Sequence, residues 1–350
     1  MHRGKEALKP AESMVRIGTA LGVPKVLRSL GLDPETVLTE AGVDVDIFND
    51  PDNTISFSAH SRLIAHCAAV TDCEHFGLLT GQHAGLHSLG LMGLLVKYSP
   101  DVSTALNNLN SFFHLHTRAA VLSVEEHGSV SVLGYRIVQG WVEGNDLVSE
   151  GALAVLFNIM RELCGPRWAP TEVWSARKKP ENVAPYRQFF KVRLRFDAEQ
   201  DALLFPSTWL TQALPEVHAE VRQLVQKQID LLVAQHPDDF PQQVRNVLHA
   251  VLISGDARAT RVATLLSIHP RTLHRRLQAF GLGYQQLVDE CRFGMAKRLL
   301  TTSDRGVSEI AQMLHYADAR TFIRAFRRWS GETPARWRAT QTPSRRVMAS

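Results

Sequence analysis

The stretch from Asp256 to Arg338 carries one short device twice, and that duplication constrains the fold more than any other feature of the chain. The first copy reads RVATLLSIHPRTLHRRLQAFG, Arg261 to Gly281; the second reads VSEIAQMLHYADARTFIRAFRRWSG, Val307 to Gly331. Each begins as an apolar helix, breaks for a few residues, and restarts as a helix crowded with arginine. That is the sequence form of a helix-turn-helix, whose second helix is shaped to enter a major groove.

The two copies match position by position. In the first, Ala263 is small where two helices cross, and Leu266 and Ile268 supply apolar contacts on either side of the turn. His269 takes the N-cap, Pro270 the first helical position where its missing N–H costs nothing, and Leu273 and Leu277 face the core. In the second, Ala311, Leu314 and Tyr316 play the same parts, Asp318 is the N-cap, and Phe322 and Phe326 are the buried pair. The second turn is one residue longer. Gly281 and Gly331 stand where a helix ends in a left-handed residue, and Pro334 stops the second. Between the copies, Tyr284 to Leu300 reads as one helix with Leu287, Cys291, Met295 and Leu299 at fourfold spacing. A rod of that length, about 25 Å, could hold two recognition helices about one DNA turn, roughly 34 Å, apart.

With these residues in view, positions 240–338 resemble the DNA-binding domain of the AraC/XylS family of bacterial transcription regulators. The likeness extends to the closing run Phe322, Ile323, Arg324, Ala325, Phe326, Arg327, Arg328, Trp329, then Gly331, Pro334 and Trp337. It implies binding to promoter or operator DNA, and it favours activation through contact with RNA polymerase. Alignment with the motif makes Arg271, His274 and Arg275 of the first helix, and Arg320, Thr321 and Arg324 of the second, the base-contacting residues. Arg276, Arg327 and Arg328 are assigned to phosphates. The chain departs from the family at both turns, which usually carry glycine where it has Ser267 and His315. Left-handed backbone is uncommon for such residues, so these turns are expected to be strained rather than broken. His269 also replaces a serine often found at the first N-cap.

Charge follows the same division. From Phe240 onward there are 18 Lys+Arg against 7 Asp+Glu, a net of +11; before it the count is 21 against 28, a net of −7. Seventeen of the 18 C-terminal cations are arginine, which suits bidentate recognition of guanine edges and phosphates. A solvated cationic surface is the plainer alternative for each one, and it is the less favoured because the charges fall on the expected recognition helices.

Other chemistry finds little support. Cys67, Cys73, Cys164 and Cys291 form no CxxC pair, so neither a disulfide framework nor a zinc site is indicated. Seven histidines lie between His60 and His116, but no HExxH or cysteine partner accompanies them, and ordinary core or surface histidine is the reading preferred over a metal site. Gly85-Leu86-His87-Ser88-Leu89-Gly90 nearly mimics a nucleophile elbow, yet Leu86 stands where GxSxG needs glycine. There is no phosphate loop and no GxGxxG after a strand. An enzyme is therefore not expected, and no cofactor is implied. Met1 to Pro10 lacks a signal-peptide core, and the longest apolar run, near Leu89 to Val96, is too short for a bilayer. The expectation is a cytoplasmic protein with no membrane partner.

The N-terminal part reads as α+β. Ala11 to Ser29 is expected to be helical and broken at Pro24, and Asp33-Pro34-Glu35 opens a short helix by the cap-then-proline rule. Asp50 to Thr54 is a loop. Helices are expected over Phe57–Val70, near Glu74–Gln82 and Leu89–Lys97, and over Asp101–His114. Ala120 to Val124 and Ser129 to Val138 form a hairpin around the turn EEHG. Asn145 to Cys164 is a helix, and Glu172–Ser175, Val192–Phe196 and Ala202–Phe205 are short strands. Ile55 to Leu214 also resembles, more weakly, the arabinose-binding-type regulatory domain of one branch of the family. The points of likeness are His75-Phe76-Gly77-Leu78, Leu89-Gly90-Leu91-Met92-Gly93, Ser99 with Ala105-Leu106, and the run Tyr186 to Phe196. That implies effector sensing or dimerisation and leaves the effector unnamed. Trp141, Trp168 and Trp174 could line an effector pocket or simply fill a core. Val217, Val221, Leu224 and Leu231 follow a near-heptad spacing interrupted by Gln228, which fits either a helix packed on its own domain or a homodimer helix.

The expected architecture is thus an α+β N-terminal regulatory domain over 1–233, a linker over 234–241, and an all-α domain over 242–340 with two helix-turn-helix motifs joined by a linker helix. Residues 341–350 are expected to be a disordered tail. The function expected is a sequence-specific DNA-binding transcription regulator answering to a small molecule, a homodimer, or both. A non-specific architectural DNA-binding protein is the main alternative; an enzyme with an appended DNA-binding module would need a catalytic constellation that the sequence lacks.

Overall fold

A computed structural model of the chain describes residues 12–137, 139, 142–215, 219–235, 240–266, 268–303 and 305–341. The chain divides into two compact units, Met1–His236 and Pro237–Ser350.

The first unit opens with β1 (Met14–Arg16), a 3-10 turn over Ile17–Ala20, α1 (Val23–Ser29) and α2 (Pro34–Glu40). The expected helix from Ala11 does not form: β1 pairs with β2 (Thr54–Ser56), and Pro24 sits in the first turn of α1 instead of breaking a longer helix. Proline has no N–H to lose in a first turn, so its place is the start of a helix. Asp33 caps α2 as its sequence predicts, accepting from Thr36 N–H at 3.0 Å. Four helices follow: α3 (Phe57–Val70), α4 (Phe76–Gly81), α5 (Leu91–Lys97) and α6 (Val102–Phe112). Ser88, of the near-elbow, is 1% exposed within a 3-10 turn.

The sheet has five strands in the order β3-β4-β7-β5-β6: β3 (Ala120–His127), β4 (Val130–Ile137), β5 (Glu172–Trp174), β6 (Arg193–Arg195) and β7 (Asp201–Pro206). Pairs are antiparallel except β5 with β6. The hairpin is tighter than expected, because Glu125, Glu126 and His127 belong to β3 and pair as far as His127 with Val130. Gly128 takes the left-handed φ of +64° that a two-residue connection needs. The buried helix α7 (Asn145–Cys164) packs across β4, β7 and α4. A short helix, α8 (Ala184–Phe190), was not expected; Lys191, left-handed at φ 57°, ends it ahead of β6. Trp168 is core, 1% exposed beside Phe157 and Phe205, and Trp141 lies outside the described residues. Helix α9 (Ala219–Gln235) lays Val225 and Ile229 against Leu95 and leaves Leu224 and Leu231 more than half exposed. Val217 lies outside the described residues.

The second unit is all helix: α10 (Phe240–Ser254), α11 (Ala259–Leu265), α12 (Pro270–Ala279), α13 (Tyr284–Thr302), α14 (Val307–Met313), α15 (Ala319–Ser330) and α16 (Pro334–Gln341). Phe240 and Pro241, expected in a linker, begin α10; Phe240, Val244, Leu248 and Val251 form its buried stripe. Pro334 not only stops α15 but opens α16, behind Thr333, whose hydroxyl accepts from Arg336 N–H at 3.4 Å. Residues 236–239 of the expected linker and 342–350 of the expected tail lie outside the described residues.

The unit holds two small cores. One gathers α10, α11, α12 and Leu287, Val288 and Cys291 of α13; the other gathers Ala296 and Leu300 of α13 with Ile310, Leu314, Phe322 and Phe326. At 100° per residue, these two buried sets sit on different sides of α13. The fourfold spacing read from the sequence suggests one stripe; the helix instead buries one face at its start and another at its end.

Candidate nucleic-acid interface

The same hydrogen bond closes both turns. Ile268 N–H donates to the Ala263 carbonyl at 2.9 Å, and Tyr316 N–H donates to the Ala311 carbonyl at 2.9 Å. His315 takes the left-handed conformation, φ 56°, that a glycine would adopt without strain. Ser267 lies outside the described residues.

Both recognition helices start at the expected caps. His269 Nδ1 accepts from Arg271 N–H at 3.2 Å, ahead of α12. Asp318 accepts from Thr321 N–H at 2.7 Å and from the Thr321 hydroxyl at 3.1 Å, ahead of α15. Those bonds hold the Asp318 carboxyl below its ordinary range, and its negative charge meets the positive end of the helix.

Burial then fixes which face looks outward. Leu273 and Leu277 of α12, and Phe322 and Phe326 of α15, are fully buried at fourfold spacing. The opposite face of α12 exposes Arg271, His274 and Arg275, and that of α15 exposes Arg320 and Arg324 with Thr321 half-buried. Counted from each N-cap, Arg271 matches Arg320 and Arg275 matches Arg324. Each helix therefore presents two guanidinium groups one turn apart, on the side away from its core. Arg324 also donates to the Thr321 hydroxyl at 3.3 Å, and the His274 ring meets Tyr284 edge-on at 5.9 Å.

The three arginines assigned to phosphates differ in setting. Arg327 is exposed on α15. Arg328 bonds to Asp289 of α13 at 2.7 Å. Arg276 lies half-buried with its guanidinium carbon 3.7 Å from the centre of the Phe240 ring, and burial pulls its pKa down. Sequence reasoning did not foresee either pairing, because Phe240 was read as linker and Asp289 was not singled out within the Tyr284–Leu300 helix. It also missed Arg338, which donates to the carbonyls of Leu300 at 3.1 Å and Arg305 at 2.6 Å, and so caps the end of α13.

Four further arginines of this unit are committed to neighbours: Arg245 to Glu290, Arg258 to Asp256, Arg336 to Glu332, and Arg292 over the Tyr316 ring. The net charge of +11 thus conceals two classes, arginines that hold the helices together and those displayed by α12 and α15. A rigid, planar, five-donor fork on an exposed helix face matches guanine edges and phosphate oxygens.

Comparison with known proteins agrees with both halves of the chain. Residues 31–214 match the arabinose-binding N-terminal domain of AraC transcription regulators, more than half of the chain, and residues 262–340 match a helix-turn-helix domain. The HTH-type transcriptional regulator VirS of Mycobacterium tuberculosis is 26% identical over 330 residues, covering 93% of this chain and 97% of the relative. The ornithine utilization regulator of Pseudomonas aeruginosa is 26% identical over 340 residues, covering 95% and 99%. The crystal structure of the transcriptional regulator CdpR from Pseudomonas aeruginosa is similar over 91% of this chain and 96% of its own, at 19% identity and a TM-score of 0.45. No helix among the described residues is long and apolar enough to cross a membrane.

Proposed function

The chain belongs to the AraC family of DNA-binding, helix-turn-helix transcription regulators, and from that membership we propose that it reads a specific operator and answers to a signal received by its N-terminal unit. The observation that carries the first half is the matched arginine pair on each recognition helix, Arg271 and Arg275 against Arg320 and Arg324. Two helices offering the same donors at the same positions suit two successive stretches of major groove. Arg271, His274, Arg275, Arg320, Thr321 and Arg324 read bases; Arg327 holds phosphate, and Arg276 and Arg328 add positive charge from positions braced by Phe240 and Asp289.

The regulator acts in the cytoplasm as an activator that touches RNA polymerase, with the N-terminal unit sensing a small molecule. It pairs with a second copy through the exposed face of α9, where Val221, Leu224 and Leu231 are 38%, 59% and 56% exposed. Signal and DNA binding are then two linked equilibria, each biased by the other.

A footprint on the region upstream of its own gene, followed by competition with random DNA, tests the proposal. Arg275→Ala or Arg324→Ala should cost roughly 1–3 kcal/mol on the operator and much less on random sequence. An equal loss on both would make the protein a non-specific architectural binder, whose affinity is set by phosphate charge alone.

A further inference from the structure

The N-terminal unit encloses a cavity of about 70 Å³ between α3, α6, α7, β3 and β4. Its wall is apolar and contains no Asp, Glu, Lys or Arg. Its polar groups are the hydroxyls of Thr19, Thr80, Thr117 and Tyr135 and the rings of two histidines. His60 and His116 are each 7% exposed, and among the described residues the Nδ1 atom of each lacks a hydrogen-bond partner. The neighbouring hydroxyls do not satisfy them: Thr80 donates to the Phe76 carbonyl at 3.0 Å and Thr117 to the Met14 carbonyl at 3.2 Å. Buried polar atoms are nearly always paired, and two orphan nitrogens on rings that line one cavity call for something that pairs them.

We propose that this cavity is the sensor's ligand site, and that it takes a small uncharged molecule, apolar except for one hydroxyl-type group recognised by His60 and His116. The inference rests on reading the N-terminal unit as a sensor. Charge supports the ligand class. Burial lowers the pKa of His60 to about 4 and, aided by the nearby charge of Arg16 and by the cost of charging two neighbouring rings together, that of His116 to about 3. Both rings are therefore neutral at pH 7, and each offers one N–H donor and one bare acceptor nitrogen. A hydroxyl both donates and accepts, so it can serve the two rings together. An anion would find no cation in the wall, since Arg16 is committed to Asp52 and to the Leu89 carbonyl. Room is available for more than water alone: one water takes about 30 Å³, whereas an apolar cavity of roughly 150 Å³ holds benzene. The ligand is accordingly at the small end: a short-chain alcohol is the better fit to the cavity as it stands, and a phenol enters only if the wall moves outward to more than double its volume.

The test is a ligand-observed NMR titration of the full chain with 1-butanol and phenol, and with toluene as the partner of phenol that lacks the hydroxyl. The wild-type protein should bind both hydroxylic probes, and His60→Leu or His116→Leu should lower the ratio of phenol to toluene affinity about tenfold. Should either variant fail to fold, Ala152→Leu, which adds bulk to the wall and leaves both rings in place, should exclude all three probes. Binding that is unchanged in these variants overturns the proposal, and so does silence from both hydroxylic probes. A parallel thermal-shift panel of amino acids, sugars and organic acids separates the two levels. If one of those stabilises wild type and the histidine variants alike, a sensor exists and this cavity is not its site. If phenol binds through the histidines but leaves operator affinity unchanged, the site stands and the sensor reading falls.

Discussion

His315 packs its imidazole directly against the bare α-carbon of Gly255. A Cβ built at Gly255 would lie 2.7 Å from His315 Nδ1, and both residues have left-handed backbones, at φ 80° and 56°. Gly255 ends α10 in the first half of the DNA-binding unit, and His315 forms the turn of the second helix-turn-helix. The contact ties one half to the other at the residue that departs from the family's usual glycine.

Gly255→Ala should therefore be costly for two reasons. A left-handed alanine costs about 1–2 kcal/mol, and the new methyl also displaces the His315 ring. Gly281→Ala is the matched control, since it is left-handed at φ 69° with nothing within 4 Å of a new Cβ. In urea unfolding, Gly281→Ala should lose only the backbone cost and Gly255→Ala clearly more. Equal losses would mean that His315 moves aside freely and that the contact does not join the halves.

The caps make a second comparison. Asp318 satisfies the Thr321 N–H and hydroxyl with a carboxylate, whereas His269 offers one ring nitrogen to Arg271 N–H at 3.2 Å. Asp318→Ala should lower the unfolding midpoint more than His269→Ala. His269→Ser, the residue often found at this place in the family, should raise the unfolding free energy by a few tenths to about 1 kcal/mol. A fall with His269→Ser would show that the imidazole does more than cap.

Much of this unit was legible because its signals are local. Caps, the proline at the start of α12, and apolar pairs four residues apart are written within one or two turns of the chain, so α12 and α15 form where their residues predict. What escaped was long-range. Nothing local tells that Arg276 lies over Phe240 or that Arg328 reaches Asp289. The Asp-Asp-Phe-Pro run imitates a linker although Phe240 is 2% exposed. In the N-terminal unit the β1–β2 pairing spans about forty residues, so nothing local announces it, although the equally short β5 and β6 form where short strands were expected. The orphan histidines were visible as residues but not as a pair, because only the fold brings His60 of α3 and His116 to one cavity.

The arginines of α15 separate charge from scaffold. Arg327 is exposed, while Arg328 pairs with Asp289, whose side chain is only 25% exposed. Arg327→Ala should flatten the dependence of log affinity on log salt by about one unit and leave stability unchanged. Arg328→Ala should lower the unfolding midpoint as well, because it leaves the Asp289 carboxylate with Gln285 as its remaining side-chain partner. Binding measured from low to moderate salt, beside urea curves for both variants, checks this. Identical behaviour of the pair would mean that the Asp289 bond carries no weight.

Acid should destabilise the N-terminal unit, by an amount set by opposing buried groups. His60 and His116 have folded pKa values near 4 and 3, below the ordinary value of 6.5. Below pH 6.5 the unfolded chain takes up two protons that the folded chain refuses, so stability present above 6.5 is lost as pH falls, by up to about 1.4 kcal/mol per pH unit per ring. Glu150 works the other way. Burial outweighs its bonds to Arg177 and Tyr186 and lifts its pKa from 4.5 to about 7. Its folded form accepts a proton first, which adds stability as pH drops from about 7 to 4.5. Near pH 7 the half-protonated Glu150 offsets the first protons that the unfolded histidines take up, and by pH 5 the two rings outnumber it, so the loss steepens to about one proton's worth per pH unit. His75 and His83, which burial also lowers, add to it, and Asp201, which burial raises, opposes it. Denaturant unfolding of the full chain between pH 7 and 5 should show that slope. His116→Leu should make it shallower by about one proton's worth near pH 5, and Glu150→Gln should make it steeper. If His116→Leu left the slope unchanged, the ring would have to be protonated, or already paired, in the folded protein.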